Sequence, residues 1–197
     1  ASRYSIGKLL WELGDLDNAK MQLEQSLKVY GSLGDERRTS HWLLTSLAYS
    51  KVLLDLGDSV NAKEIAQAVI QSSIVEFGLE SEKVLKAKNL MAEILGFSHD
   101  HEGALKLRRE IVDAIDAGVS VSHEFDLDAR IGLAGALYLS HMLSGAGEET
   151  HPLLVDSLLA VERLLPAINE DLGILHPISI DARILLASCL MQVMRID

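Results

Sequence analysis

The stretch Leu13-Gly14-Asp15-Leu16-Asp17-Asn18-Ala19-Lys20 returns 43 residues later as Leu56-Gly57-Asp58-Ser59-Val60-Asn61-Ala62-Lys63. A third copy, His99-Asp100-His101-Glu102-Gly103-Ala104-Leu105-Lys106, follows 42 residues after the second and aligns Asp100 with Asp15 and Asp58, and Ala104 with Ala19 and Ala62. A repeat of this length is a supersecondary unit stacked on its own copies. Each recurring residue has a physical task. Glycine at 14 and 57 can take the left-handed conformation that ends a helix. The aspartate after it accepts hydrogen bonds from the free N–H groups opening the next helix, where its charge also suits the dipole. The alanine one turn later lets two antiparallel helices approach closely.

Working outward, a small residue recurs seven positions before each turn, as Gly7, Ser50 and Ala92, and should face the alanine of the partner helix. Apolar residues follow at helical spacing, as in Ile6, Leu9, Leu10 and Leu13, or Ile65, Val69 and Ile70. The pattern predicts helix pairs over 2–13 and 15–31, 36–56 and 58–77, and 80–97 and 100–117. A less regular fourth pair covers 124–143 and 151–171, its helices joined by the loop 144–150 and the second opening at Pro152. Pro166 should kink or split that second helix. A ninth helix, about 177–195, either caps the array or awaits a further partner. The corresponding repeats run 1–34, 35–78, 79–118 and 122–172, with a terminal helix at 176–195, all in one helical-repeat domain over 1–197.

Composition narrows the class further. All three prolines lie beyond residue 150, so the long proline-free stretch favours helices over a turn-rich β protein. An apolar fraction of 48% and a charged fraction of 24% are those of an ordinary folded protein, which argues against a disordered chain. No run approaches the roughly 18–20 apolar residues of a membrane span; the best, 131–139, is about half that. A net charge of −11 argues against nucleic-acid binding, which needs Lys and Arg on phosphates. The single cysteine, Cys189, excludes an internal disulfide and a cysteine-rich zinc site, and fits the cytoplasm or another reducing intracellular compartment. The chain opens without Met and already in helical pattern, as expected for a segment of a longer protein or a processed one.

A small residue with Leu three positions on, then Gly-Asp, then Ala five residues after the glycine, resembles the tetratricopeptide repeat (TPR). The period of 42–43 residues, longer than the usual 34 or so, is similar to the kinesin-light-chain variant. The linker element Leu172-Gly173-Ile174-Leu175-His176-Pro177 resembles that family's Leu-Gly-x-x-His-Pro, with looser echoes in Leu33-Gly34-Asp35, Phe77-Gly78-Leu79 and 118–123. Asn89-Leu90-Met91-Ala92 is similar to its Asn-Leu-Ala stretch. The resemblance implies an all-α solenoid, a right-handed superhelix of antiparallel pairs whose first helices line a concave wall.

In the family register, groove positions fall at Tyr4, Lys8, Trp11 and Glu12; at Leu44, Leu47, Lys51, Leu54 and Asp55; and at Lys86, Asn89, Glu93 and Phe97. Lys8, Lys51 and Lys86 would form a basic line holding an acidic peptide, with Asn89 clamping its backbone. Trp11 and Phe97 would be the apolar anchors. Against this, Glu12, Asp55 and Glu93 lie near enough to cancel much of that potential. The basic pattern with which some relatives hold a C-terminal carboxylate is not reproduced at matching positions.

Chemistry-bearing motifs are sparse. There is no glycine-rich phosphate loop, nucleophile elbow or His-Glu-x-x-His. Ser98-His99-Asp100-His101-Glu102 has the residue types of a zinc or acid–base site, but reads as a solvated turn in which Asp100 caps a helix. Cys189, among Leu185, Leu186, Leu190 and Met191, reads as a buried hydrophobe. His123 and His176 each sit at the start of a helix, where hydrogen bonding to the turn is expected, and His141 lies late in one, suited when protonated to its C-terminal end. Arg37-Arg38 and Arg108-Arg109 are flanked by carboxylates and read as exposed ion pairs. The segment 129–139 is apolar nearly all round, so it is central in the array or covered by a partner. The expectation is a non-enzymatic interaction module without cofactor or metal, presenting a groove to a peptide or helix. The alternatives are a structural subunit of a large complex, held by its convex face and ends, and a regulatory sensor domain of a longer protein.

Overall fold

Each Gly-Asp turn closes one helix and opens the next. The Gly14 N–H donates to Trp11 O at 2.9 Å and Asp15 N–H to Leu10 O at 2.9 Å, with Gly14 at φ 80°. Gly57 (φ 84°) and Asp58 repeat the pattern, donating to Leu54 O at 2.9 Å and Leu53 O at 2.8 Å. Both are the paired-bond termination that a left-handed residue permits. In the third turn the same place is taken by His99, at φ 63°, the one described non-glycine residue with positive φ. The capping expectation holds in all three: Asn18 N donates to Asp15 Oδ1 at 3.4 Å, Asn61 N to Asp58 Oδ1 at 3.3 Å, and Gly103 N to Asp100 Oδ1 at 2.9 Å.

In the computed structural model, residues 2–31, 40–144 and 152–194 are described. Among them are nine helices and no strands: α1 (Arg3–Glu12), α2 (Leu16–Gly31), α3 (Ser40–Asp55), α4 (Ser59–Phe77), α5 (Glu82–Phe97), α6 (His101–Asp116), α7 (His123–Leu143), α8 (Pro152–Asp171) and α9 (Pro177–Val193). The expected 36–39 extension of α3, the Leu33-Gly34-Asp35 echo, the Arg37-Arg38 pair and most of the 144–150 loop lie outside the described residues. Pro152 and Pro177 open α8 and α9 as first helical residues. Pro166 does not split α8, which runs through it as one element.

The chain forms two compact units, 1–98 and 99–197. In the first, α1 packs on α2, α2 on α3, α3 on α4 and α4 on α5. The small-residue rule is visible in both of its complete pairs. Gly7 is buried so close to α2 that a Cβ there would lie 2.7 Å from Leu23 Cγ and 3.4 Å from Ala19 O. Ser50, fully buried, donates its hydroxyl to Ala62 O at 2.7 Å. Around these joints lie two cores, Ala19, Leu23 and Val52 with Tyr4, Leu10 and Trp11, and Leu43, Val69 and Ala87 with Trp42, Leu47 and Ile65.

In the second unit α7 packs against α6, α8 and α9, so the apolar segment 129–139 is central within it. Leu127, Ile131 and Ala134 of α7 join Val161 and Ile168 of α8 and Ile178 and Ala182 of α9 in one core. The fully buried Ser157 of α8 donates to Ala134 O at 2.8 Å. Gly132 is covered by the Arg108 side chain from α6, whose Nη1 would stand 1.8 Å from a Cβ.

Candidate functional site

The first helices of successive pairs, α1, α3 and α5, touch one another along one wall of the 1–98 unit. Side chains one period apart meet there. Trp11 Nε1 donates to Asp55 Oδ2 at 2.6 Å, and Lys51 Nζ pairs with Glu93 Oε2 at 3.2 Å. The Lys51 ammonium also lies 5.6 Å from the Trp11 ring centroid, within cation–π range. One lysine thereby ties α3 to both neighbours.

The expected groove residues separate into four groups. Lys8, Lys51 and Lys86 all reach the surface, and each lies beside a carboxylate: Lys8 Nζ is 3.5 Å from Glu12, and Lys86 Nζ 2.9 Å from Glu82. The basic line is thus a row of neutralised pairs with the carboxylates set alongside. Tyr4, Trp11 and Leu47 are half-buried and pack against the two cores of the unit. Leu54 and Asn89 are buried, each at 6% exposure, so their side chains belong mainly to the interior. Phe97 is 71% exposed and Leu44 46%, which leaves them as the bare apolar groups of the set. Glu93 is half-buried through its pair with Lys51.

The sequence set Glu12, Asp55 and Glu93 near the lysines, and the structure gives each its partner: Glu12 meets Lys8, Glu93 meets Lys51, and Asp55 accepts from Trp11 instead. Trp11 to Asp55 is a step of 44 residues and Lys51 to Glu93 a step of 42. Both bracket the repeat period, so adding that period to each first-helix residue would have found them.

The remaining titratable groups serve the frame. Arg130 bonds Asp126 Oδ1 at 2.7 Å and Asp116 Oδ1 at 2.6 Å, and these carboxylates hold its guanidinium above the usual pKa. His176 caps α9 by accepting from Ile178 N at 3.4 Å, as expected for its place. His123, the first residue of α7, meets Asp171 Oδ2 at 2.8 Å and so closes the α7–α8 pair. His141 is buried late in α7. In the Ser98–Glu102 turn the His99 and His101 rings make an edge contact at 5.9 Å while Asp100 caps. Cys189 is fully buried beside Ser157, at 3.5 Å, and burial pushes its thiol pKa up. Among the described residues no group of three or more His, Cys, Asp or Glu is placed to hold a metal ion, and no helix is long and apolar enough to cross a membrane.

No family model matches the sequence, and no curated protein matches it. Among solved structures, the chain is similar to nearly identical TPR-like repeats from a Podosopora anserina protein assigned to the kinesin light chains. The TM-score is 0.68 at 15% identity, over 99% of this chain and 93% of that one. A single-residue variant of the same repeats gives a TM-score of 0.68 at 16% identity, over 99% and 92%. The described helices packed as antiparallel pairs, the Gly-Asp turns and this likeness give the chain the α-solenoid fold of TPR-like helical repeats.

Proposed function

We propose that this chain is a protein-interaction module that holds an extended peptide or a helix of a partner along the wall made by α1, α3 and α5. TPR-like helical repeats generally mediate protein–protein interaction, and proteins of this fold are typically non-enzymatic scaffolds. The observation that carries the reading is the linked row across that wall, in which Lys51 joins Trp11 and Glu93. Side chains held in this way lose little further freedom on binding, so most of the ordering cost falls on the partner. Alternating lysines and carboxylates suit a segment of mixed charge better than a uniformly acidic one. Phe97 and Leu44 would supply the apolar contacts.

The test is an affinity capture from native extract, with the wild-type chain beside a Lys51→Glu, Phe97→Ala double variant. Phe97 is exposed, while Lys51→Glu also removes the ties to Trp11 and Glu93, so circular dichroism and melting are measured beside capture to show that the variant remains folded. The reading expects a protein held by the wild type and lost with the variant, and a synthetic peptide from that protein to bind at least tenfold more weakly to the variant. Equal capture of the same proteins by both would overturn the wall as the site, and would favour a building block held by its outer surfaces.

A further inference from the structure

The last helix carries an apolar stripe that the other pairs would lead one to find covered. Ala187 lies 11 residues after the N-cap His176, as Ala92 lies 11 after the N-cap Ser81, and Ala92 shares with Gly7 and Ser50 the place seven residues before the turn. Gly7 and Ser50 are buried against a second helix. Ala187 is exposed, and with it Ile180, Ile184, Leu190, Met191 and Met194, at 41% to 77%. The corresponding residues around Ser50, namely Leu43, Leu53 and Leu54, are 2% to 6% exposed. The opposite side of α9, Ile178, Ala182 and Cys189, is the side sunk into its own unit.

We propose that this stripe binds a second copy of the chain, α9 against α9 in antiparallel, with Ala187 on the two-fold axis. Three observations point to a copy of itself. The stripe is symmetric in spacing, with Ile180 and Met194 seven residues either side of Ala187, and Ile184 and Leu190 three. An antiparallel partner therefore meets Ile180 with Met194, Ile184 with Leu190, and alanine with alanine, as an isologous interface requires. That contact repeats the one inside the chain, where small residues face each other across antiparallel helices, Gly7 to Ala19 and Ser50 to Ala62. At about 200 Å² for a fully exposed side chain of this size, the five residues expose on the order of 550 Å² per copy, so a contact that covered all of it would bury on the order of 1,100 Å², at the roughly 1,000 Å² that a specific interface needs. Residues 184–194 bear no charged side chain; the one ion in the register is Arg183, which comes opposite Met191 and whose guanidinium already donates to Ile174 O. The net charge of −11 on each copy opposes association at low salt, and screening relieves it.

Sedimentation velocity of the full chain at loadings from about 1 µM to about 1 mM tests this. The expected result is a monomer–dimer equilibrium strengthened by salt. Ile184→Lys and Leu190→Glu should each raise the dissociation constant at least tenfold, with unchanged circular dichroism because both residues are exposed. An equimolar mixture of the two variants should restore dimer, because the two-fold register sets the new lysine of one copy against the new glutamate of the other. A wild type that stays monomeric throughout would overturn the proposal. So would an open-ended ladder of higher species, a dimer indifferent to both variants, or a mixture that fails to pair.

Discussion

The pairs α3–α4 and α7–α8 solve one packing problem from opposite sides. In the first, Ser50 on the leading helix donates to the Ala62 carbonyl of the trailing one; in the second, Ser157 on the trailing helix donates to the Ala134 carbonyl of the leading one. Both hydroxyls are fully buried, at nearly equal bond lengths of 2.7 and 2.8 Å. The Gly57-Asp58 pair that marks the first joint in sequence does not recur in the sequence between α7 and α8. What both pairs keep is a small polar side chain at the crossing, close enough to bond the facing backbone. The requirement is spatial, and a sequence motif is only one way of meeting it.

If the two joints are equivalent, enlarging either serine should cost the same. Ser50→Leu and Ser157→Leu should each destabilise by about 3 kcal/mol through overpacking, while the alanine variants, losing only the hydrogen bond, should cost about 1 kcal/mol. Urea unfolding of the four variants measures this, and a Ser157→Leu that is tolerated would break the equivalence. The turns differ more. Gly57→Ala should cost about 1 kcal/mol, because a Cβ disfavours the positive φ. His99→Gly should stabilise by about 0.5 kcal/mol, the relief of the same strain being partly offset by glycine's entropy. Opposite shifts in thermal midpoint would sharpen the distinction between the first two turns and the third. The smallest effect concerns the cap. The Asn61 side-chain amide, with its backbone N–H, holds the Asp58 carboxyl below its ordinary value near 3.8. Since the folded pKa is the depressed one, the cap's contribution is complete above that value and is lost as pH falls through the folded pKa. Asp58→Asn keeps one capping oxygen but no ionisable group and should show a shallower loss of stability as pH falls below about 4.

The helical layout was legible because caps and turns are local. Asp15, Asp58 and Asp100 announce helix starts within three residues of themselves, and the observed ends agree closely with those read from the sequence. Pro166 was harder, because whether a helix breaks at proline depends on what packs along its length; Val161 and Ile168 on either side are fully buried. The contacts across the wall were less legible than the helices that carry them. The sequence places Glu93 near the lysine line without saying which lysine it meets; the stacking of α3 on α5 gives it to Lys51. Asn89 and Leu54 lie on the expected helices, yet a small rotation about the helix axis decides whether a side chain faces the groove or the core, and both turn mainly inward.

The only thiol in the chain, Cys189, is sealed beside Ser157 in the 99–197 unit, and the 1–98 unit has none. Any reagent that reaches it must wait for α9 to lift. Its rate of alkylation is therefore a clock for the opening of one half of the molecule, readable without adding a label and blind to whatever the other half is doing.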